Sequence, residues 1–579
     1  MEANRSHNRS GSRFWWVYLL ALLAGINYLA SVYHARFDLT REKRYTLSKA
    51  TTDLLKNLDD EVQVDVFLKG DFPAGFRKLA NSTEEFLRLL KDRNGSRFHY
   101  QFISPEEEMP GTNRSYGDSL KNMGAASINL TVQKKAGQTS NIIFPVAIMH
   151  YKGKQELVNL YPGSSGRISQ DEINSAEALM EYQFAKSMDR LMQTRKPGIA
   201  YAVGNGEPTD SRTYDLVQTL RQDYAFGMFD LQTQPRIPEG VDILMIVKPT
   251  QQFTEAEKLK LDQYVMRGGK LLCFIDDLIA EQDSLAFKPE TVAYDRNLNL
   301  TDLFFKYGVR INPDLVMDLQ SDKIPQIVGG TADNPQLVFL NWTYYPLFVP
   351  GNARVLNKNL GYISGRFVNS LDTIQVPGVK KTVLLASSAA SRIISTPALI
   401  SLNENKVAPD NNKFVRNAIP VAMLLEGQFT SLYKNRVGKA ELDSLAAHGS
   451  PYRATSDETK MIVVGDGDMV LNDVTPDAGP LPMGWNKYMF REFQNQTEDG
   501  KYFVQAANEQ FLLNCTEYLV NNAAISATRN KDIVLRLLSP KKISAQKETW
   551  QFLNIGLPVL LVLLFGWIYQ YVRKRKYTV

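Results

Sequence analysis

A chain of 579 residues, 44% hydrophobic and 22% charged, has enough apolar side chains for ordinary cores and is excluded from being a disordered tether. The stretch between its apolar ends predicts about three domains. Its 67 basic and 62 acidic side chains give a net charge of +5, without the basic concentration of a nucleic-acid binder, so no nucleic-acid partner is expected.

Residues 1–13 form a Ser/Asn-rich leader carrying Arg5, Arg9 and Arg13. Residues 14–33 are free of charge, open with Trp15, Trp16 and Tyr18, and predict a transmembrane helix. The run is longer than the apolar part of a cleavable signal peptide, and Tyr33-His34-Ala35 makes a poor cleavage site, so an uncleaved anchor is expected.

The segment 34–195 reads as strand (Val62, Val64, Val66), helix (about 76–91), strand (Phe98, Tyr100, Phe102), a short helix near Leu120, a hairpin turning at Lys152-Gly153-Lys154, and a last helix. That helix begins at the capping box Ser169-Gln170-Asp171-Glu172 and repeats Ile173, Ala176, Met180, Phe184, Met188 and Leu191. The order is that of a thioredoxin-like α/β domain, with Phe144-Pro145 where that fold carries a cis-proline. Without a Cys-x-x-Cys it is expected to be a redox-inactive scaffold.

From 196 to 281, apolar strands at 199–203, 241–247 and 270–275 alternate with helices about 214–224 and 254–267. The second of these helices is announced by the capping box Thr254-Glu255-Ala256-Glu257 and stopped by Gly268-Gly269. This alternation predicts a parallel, doubly wound sheet. The texture resumes over 461–545, where Met461 to Val464 ends in Gly465-Asp466-Gly467-Asp468, and the intervening 282–460 is expected to be a mixed insertion. Residues 552–572 then run without a charge into Arg573, Lys574, Arg575 and Lys576, predicting a second span and a basic tail, 573–579. Two spans put both termini on one side, and the positive cluster makes that side cytoplasmic.

An ordered set of motifs resembles the GldG family: Phe37-Asp38-Leu39-Thr40 with Tyr45-Thr46-Leu47-Ser48, the strand ending Lys248-Pro249-Thr250, Leu261 to Lys270, Tyr307-Gly308-Val309, and Val464 to Asp468. The similarity spans nearly the whole chain. It implies a gliding-motility-associated ABC transporter component of a bacterial inner membrane, with its bulk periplasmic, working beside separate permease and ATPase subunits. It also implies that the second region resembles class I glutamine-amidotransferase folds stripped of their catalytic residues. Asn205 stands where relatives often carry His.

The residues themselves point away from catalysis. Gly-Lys pairs at 153, 269, 438 and 500 are followed by Gln, Leu, Ala and Tyr, so there is no Walker A motif, and no cofactor is expected. Cys273 lies in mid-strand and Cys515 in a helical pattern, each reading as a buried small hydrophobe, and the five histidines include no pair at metal-ligand spacing. Asn205 and Glu207, Asp276 and Asp277, and Asp466 and Asp468 fall at carboxyl ends of predicted parallel strands, where ligands bind in such sheets. They form a candidate ligand or partner surface, and the same residue types also serve as turns and helix caps. Gly556, Pro558 and Gly566 are the candidate docking positions on the second span. A non-catalytic transporter subunit and a membrane-tethered enzyme using the amidotransferase-like domain both remain open.

Overall fold

The computed structural model describes residues 15–32, 38, 46–70, 72–111, 114–125, 127–134, 137–161, 170–286, 288–331, 335–350, 356, 360–490, 506–520, 525, 528 and 540–577. The leader arginines, Phe37, residues 39–45 and the Ser169 end of the expected capping box lie outside them. The chain divides into two compact units, Met1–Lys531 and Asp532–Val579.

The first unit begins with helices α1 (Trp15–Val32) and α2 (Lys49–Lys56), the latter started by Ser48, whose hydroxyl accepts from Thr51 N at 3.1 Å. Then come β1 (Val62–Val66), α3 (Ala74–Arg93), β2 (Phe98–Phe102), α4 (Tyr116–Asn122), the hairpin β3 (Ile128–Lys134) and β4 (Gly137–Ile143), β5 (Val146–Tyr151), β6 (Lys154–Asn159) and α5 (Gln170–Met192). Four strands join in the order β2-β1-β5-β6, with β1 parallel to β2 and antiparallel to β5. One face buries Val62, Val64 and Val66 against Leu79, Leu87 and Leu90 of α3 and Phe184 of α5. Val146 and Ile148 pack with Phe67 and Leu120 in a second cluster. The Phe144–Pro145 bond, expected to be cis, is trans, and Pro145 O accepts from Leu160 N at 2.9 Å. The β3–β4 hairpin falls in a stretch that reads only as polar in the sequence.

A seven-stranded sheet follows. It is built from β7 (Gly198–Val203), β8 (Ala225–Asp230), β9 (Ile243–Val247), β10 (Lys270–Phe274), β11 (Val379–Ala386), β12 (Pro420–Thr430) and β13 (Thr455–Val464), ordered β11-β12-β13-β10-β9-β7-β8. The five strands from β13 to β8 are parallel to their neighbours, while β12 and β11 run antiparallel. Every residue of β9 is buried, as a strand covered on both faces requires. Met245, Leu272 and Ile462 point to one face, with Leu216 and Leu220 of α6 (Tyr214–Asp223) and Phe511 and Leu519 of α10 (Asn508–Val520). Leu244, Leu271 and Val463 point to the other, with Leu261 and Val265 of α7 (Glu255–Met266) and Leu303 and Tyr307 of α8 (Thr301–Tyr307). Each such buried side chain contributes roughly 2 kcal/mol. A further helix, α9, spans Lys439–Ala447.

One expected boundary looks different in the structure. The stretch 282–460 supplies β11 and β12 to the central sheet, because Leu424 and Leu425 pair with Ile462 and Met461, so it does not stand apart as an insertion. What projects is smaller: a long hairpin of Ser321–Gly330 and Pro335–Phe348 with an aromatic cluster in which Trp342 and Phe367 meet edge to face at 5.6 Å. Across the expected 195/196 boundary, Arg190 of α5 grips both oxygens of Asp223 at 2.8 Å.

The second unit contains α11 (Pro540–Tyr577), 38 residues with Pro558 inside it. Its segment Gln546–Arg575 is long and apolar enough to cross a membrane, the one such helix among the described residues; the apolar part of α1, Val17–Tyr28, is shorter.

Candidate functional site

Three parallel strands, β9, β10 and β13, end side by side, and each hands over a polar residue where its backbone leaves the sheet. Beyond β9 comes Lys248, with a left-handed φ of 44° that a side chain rarely adopts and that its surroundings must hold. Beyond β10 comes Asp276, and beyond β13 come Asp466 and Asp468. The Lys248 ammonium donates to Asp468 Oδ1 at 2.7 Å and Glu281 Oε2 at 3.0 Å, and lies 3.2 Å from Asp276 Oδ2. The backbone closes the arrangement. Gly467 N donates to Asp276 Oδ1, Asp468 N to Asp466 Oδ1 at 2.8 Å, and Arg366 N to Asp466 Oδ2 at 2.8 Å. Gly467 is glycine for a steric reason: a Cβ there would lie 2.7 Å from Lys248 Cβ.

The charges follow from burial and pairing. Lys248 is only 3% exposed. Burial alone would push its ammonium down, but Asp468, Asp276 and Glu281 together hold it above its ordinary value. Burial pushes the Asp276 carboxyl up to about 6 despite the opposing lysine. Asp466 is driven well above the usual carboxylate range by burial and then by its neighbours Asp276 and Asp468. Arg296 supports the outer rim, donating to Glu281 Oε1 at 2.9 Å. The site is a buried cation enclosed by the chain's own carboxylates.

Asp277 does not join it. Its backbone N–H donates to Asn369 Oδ1 at 2.8 Å, and its carboxyl is pushed up to about 7 by burial and then by Asp295.

Asn205 and Glu207, after β7, form a separate group. Asn205 N donates to Glu207 Oε2 at 2.8 Å, and Asn205 Nδ2 to Glu257 Oε2 at 3.1 Å. Glu257 is the far half of the expected capping box, which is formed: its Oε2 accepts from Thr254 N at 2.8 Å and its own N–H reaches Thr254 Oγ1 at 3.3 Å. Thr250 N and Gln251 N donate to Asn205 O at 2.9 and 2.8 Å, tying this turn to the loop after β9. Gly206, at φ 80°, has no room for a Cβ against Thr250 Oγ1. Within this enclosure Asn205 Oδ1 and Glu207 Oε1 are buried without a hydrogen-bond partner among the described residues. Glu207 is pushed up to about 7, by burial first and then by Glu257 and Asp230.

Lys248, Glu281 and Glu257 escaped sequence reasoning as site residues. A lysine directly after an all-apolar strand was the available signal for the first. Cys273 is fully buried in mid-strand on β10, and burial pushes its thiol well up, away from the reactive thiolate. No group of three or more His, Cys, Asp or Glu among the described residues has a metal-holding arrangement. On α11, Gly556 has only the Phe552 ring near it, at 3.8 Å, and Gly566 has open space. Ten residues apart, the two glycines sit about 80° from each other around the helix.

Residues 196–515 match the family model described as ABC-type uncharacterized transport system. Residues 41–150 match a domain of unknown function. A protein of Borreliella burgdorferi described as uncharacterized is 22% identical over 421 residues, covering 70% of this chain and 75% of the relative. Among solved structures, the mmIFT52 N-terminal domain overlaps 56% of this chain and 98% of its own, at 13% identity and a TM-score of 0.30. An exo-beta-1,4-mannosidase, Op5Man5, from Opitutaceae bacterium strain TAV5 overlaps 82% of this chain and 55% of its own, at 9% identity and a TM-score of 0.20. Both scores are too low to bear on fold or activity.

Proposed function

The chain belongs to the ABC-type uncharacterized transport system family, and from that premise we propose that it is a non-catalytic, membrane-anchored subunit that couples an extracytoplasmic load to separate permease and ATPase subunits. The observation that carries the non-catalytic part is the Lys248 cluster. The carboxyl ends of β9, β10 and β13, where a doubly wound sheet binds its ligand, are filled by the chain's own ion pairs. The resemblance to the GldG family supports a gliding-motility-associated transporter in a bacterial inner membrane. The apolar helix over Gln546–Arg575 supports an anchor; the charge-free run 14–33 as a first span, with both termini cytoplasmic, completes the proposal.

Gentle detergent extraction should bring the permease and ATPase down with this chain. Recovery of the chain alone, under conditions that keep the permease and ATPase together, would sink the coupling role. Cysteines placed at Asn4, Ser444 and Thr578 should be labelled from outside the inner membrane only at Ser444. We further propose that the second span docks on permease helices, so that Gly556→Leu with Gly566→Leu leaves insertion intact and releases the permease. Wild-type copurification of that double variant would reduce the helix to an anchor.

A second reading has one observation behind it. The partnerless oxygens of Asn205 and Glu207 are what a small ligand or substrate with hydrogen-bond donors would satisfy, which keeps a membrane-tethered enzyme as the alternative. Loss of transport in a stably folded Glu207→Gln protein that still holds its permease would favour it.

A further inference from the structure

At the amino ends of β9 and β10, the far side of the sheet from Lys248, the surface folds into a cleft of about 380 Å3. That is the size of a small-molecule site. Five cations, Arg236, Lys260, Arg267, Lys270 and Arg453, line it against two carboxylates, Glu239 and Asp242. Asp242 is already answered from outside: Arg195 grips both of its oxygens, at 2.8 and 3.0 Å. Lys270 also acts on Asp242, and Lys260 on Glu257 and Asp230, which leaves Glu239 to face the three arginines.

The three arginines outnumber that one carboxylate and are oriented mainly by backbone carbonyls. Arg236 and Arg267 donate to the carbonyls of Gly449 and Pro451 at 3.1 and 3.0 Å, and Lys260 donates to Leu231 O at 2.8 Å. Among the described residues the Arg453 side chain pairs with the exposed Asp457, outside the cleft, at 3.4 Å. Burial, and then repulsion from Arg453 and Arg236, push the Arg267 guanidinium below its ordinary value. A cation after α7 is favoured by the helix dipole, which accounts for Arg267. It does not account for Arg236 or Arg453, which arrive from loops on either side. Gathering like charges in a half-enclosed space costs stability unless an anion sits among them, and guanidinium forks match the oxygens of phosphate. Ile237, Val241 and Leu445 add an apolar wall.

We propose that this cleft binds a phosphate-bearing molecule, its phosphate held among Arg236, Arg267 and Arg453. The inference does not depend on the coupling role, since it concerns the opposite end of the sheet. The test is calorimetric titration of the detergent-solubilised full chain with pyrophosphate at low ionic strength, where surface charge is least screened. Saturable binding is expected, weakened about tenfold or more by Arg267→Gln and by Arg453→Gln, each removing a charge-assisted contact. Lys434→Gln, outside the cleft, should change nothing, and permease copurification should be the same for all three variants. Should Arg267→Gln misfold, the exposed Arg453→Gln carries the comparison alone. Phosphatidylglycerol vesicles that compete with pyrophosphate would identify a lipid headgroup, and vesicles that do not would identify a soluble phosphate ester; either fits the cleft. A flat titration, or unchanged affinity in both arginine variants, overturns the proposal.

Discussion

Lys248 and Glu207 leave neighbouring parallel strands, β9 and β7, at the same edge of the sheet, yet they meet burial in opposite ways. Lys248 is ringed by Asp276, Glu281 and Asp468 within 3.2 Å. Glu207 has one oxygen on Asn205 N and the other without a partner among the described residues, with the carboxylate Glu257 close by. Opposite charges hold the first group ionised, whereas desolvation holds the second near the point of protonation. The difference separates a plug from an opening. A cluster that satisfies itself has no capacity left for a ligand, and one that leaves acceptors bare retains it.

The largest effect should come from breaking the plug. Lys248→Met leaves three carboxylates around an apolar tip, and removing one partner of a buried ion cluster costs about 3–5 kcal/mol. Hydrogen exchange across β9, β10 and β13 should show the loss locally. A change under about 1 kcal/mol would mean that water reaches these carboxylates and that the site is open after all.

The next effect depends on pH. Glu207 has a folded value of about 7 against an ordinary 4.5, so between these values the folded state binds more protons than the unfolded one. Stability from this group is therefore present at low pH and lost as pH rises from about 4.5 to about 7. Glu207→Gln, which cannot ionise, should match the wild type near pH 4 and exceed it by roughly 3 kcal/mol at pH 8. Equal unfolding free energies at both pH values would show that a partner already compensates the carboxylate.

How far this contrast is legible in the sequence depends on what kind of interaction makes it. The alternation of apolar strands with helices shows β7, β9 and β10, and Thr254 with Glu257 shows the start of α7, because periodicity and caps act over a few residues. The acidic residues at the strand ends are visible for the same reason. That Asp276, Glu281 and Asp468 share one lysine is not, since Lys248 and Asp468 are 220 residues apart and only strand order brings them together. The same blindness to long range hid β12. Antiparallel pairing of Leu425 with Met461 has no local signature. Partnerless oxygens are the least legible of all, because they are defined by what the surrounding fold fails to supply.

Cys273 provides a reference for pure packing on the strand that leads to Asp276. Cys273→Ala removes one buried atom without touching either polar group, and about 1–2 kcal/mol should be lost with permease copurification unchanged. Abolished transport in a folded Cys273→Ala protein would make the thiol a working group and reopen the enzymatic reading.

The smallest effect is expected at Asn205, and it decides whether the opening is occupied. Asn205→Ala breaks the Nδ2 contact to Glu257 Oε2, but that oxygen keeps Thr254 N at 2.8 Å, so Glu257 is not orphaned. The substitution also deletes Oδ1, an acceptor that the protein leaves bare. One lost hydrogen bond set against one relieved acceptor should leave stability within about 1 kcal/mol of wild type. If Oδ1 instead holds a donor from a bound molecule, the same variant loses that molecule's stabilisation as well, and the deficit should grow with its concentration. Unfolding of wild type and Asn205→Ala, each purified from cells and after exhaustive dialysis, separates the two. A deficit that disappears on dialysis identifies an occupant at Asn205 and Glu207, and one that stays within about 1 kcal/mol throughout leaves the two oxygens as a cost of closing the turn against Thr250.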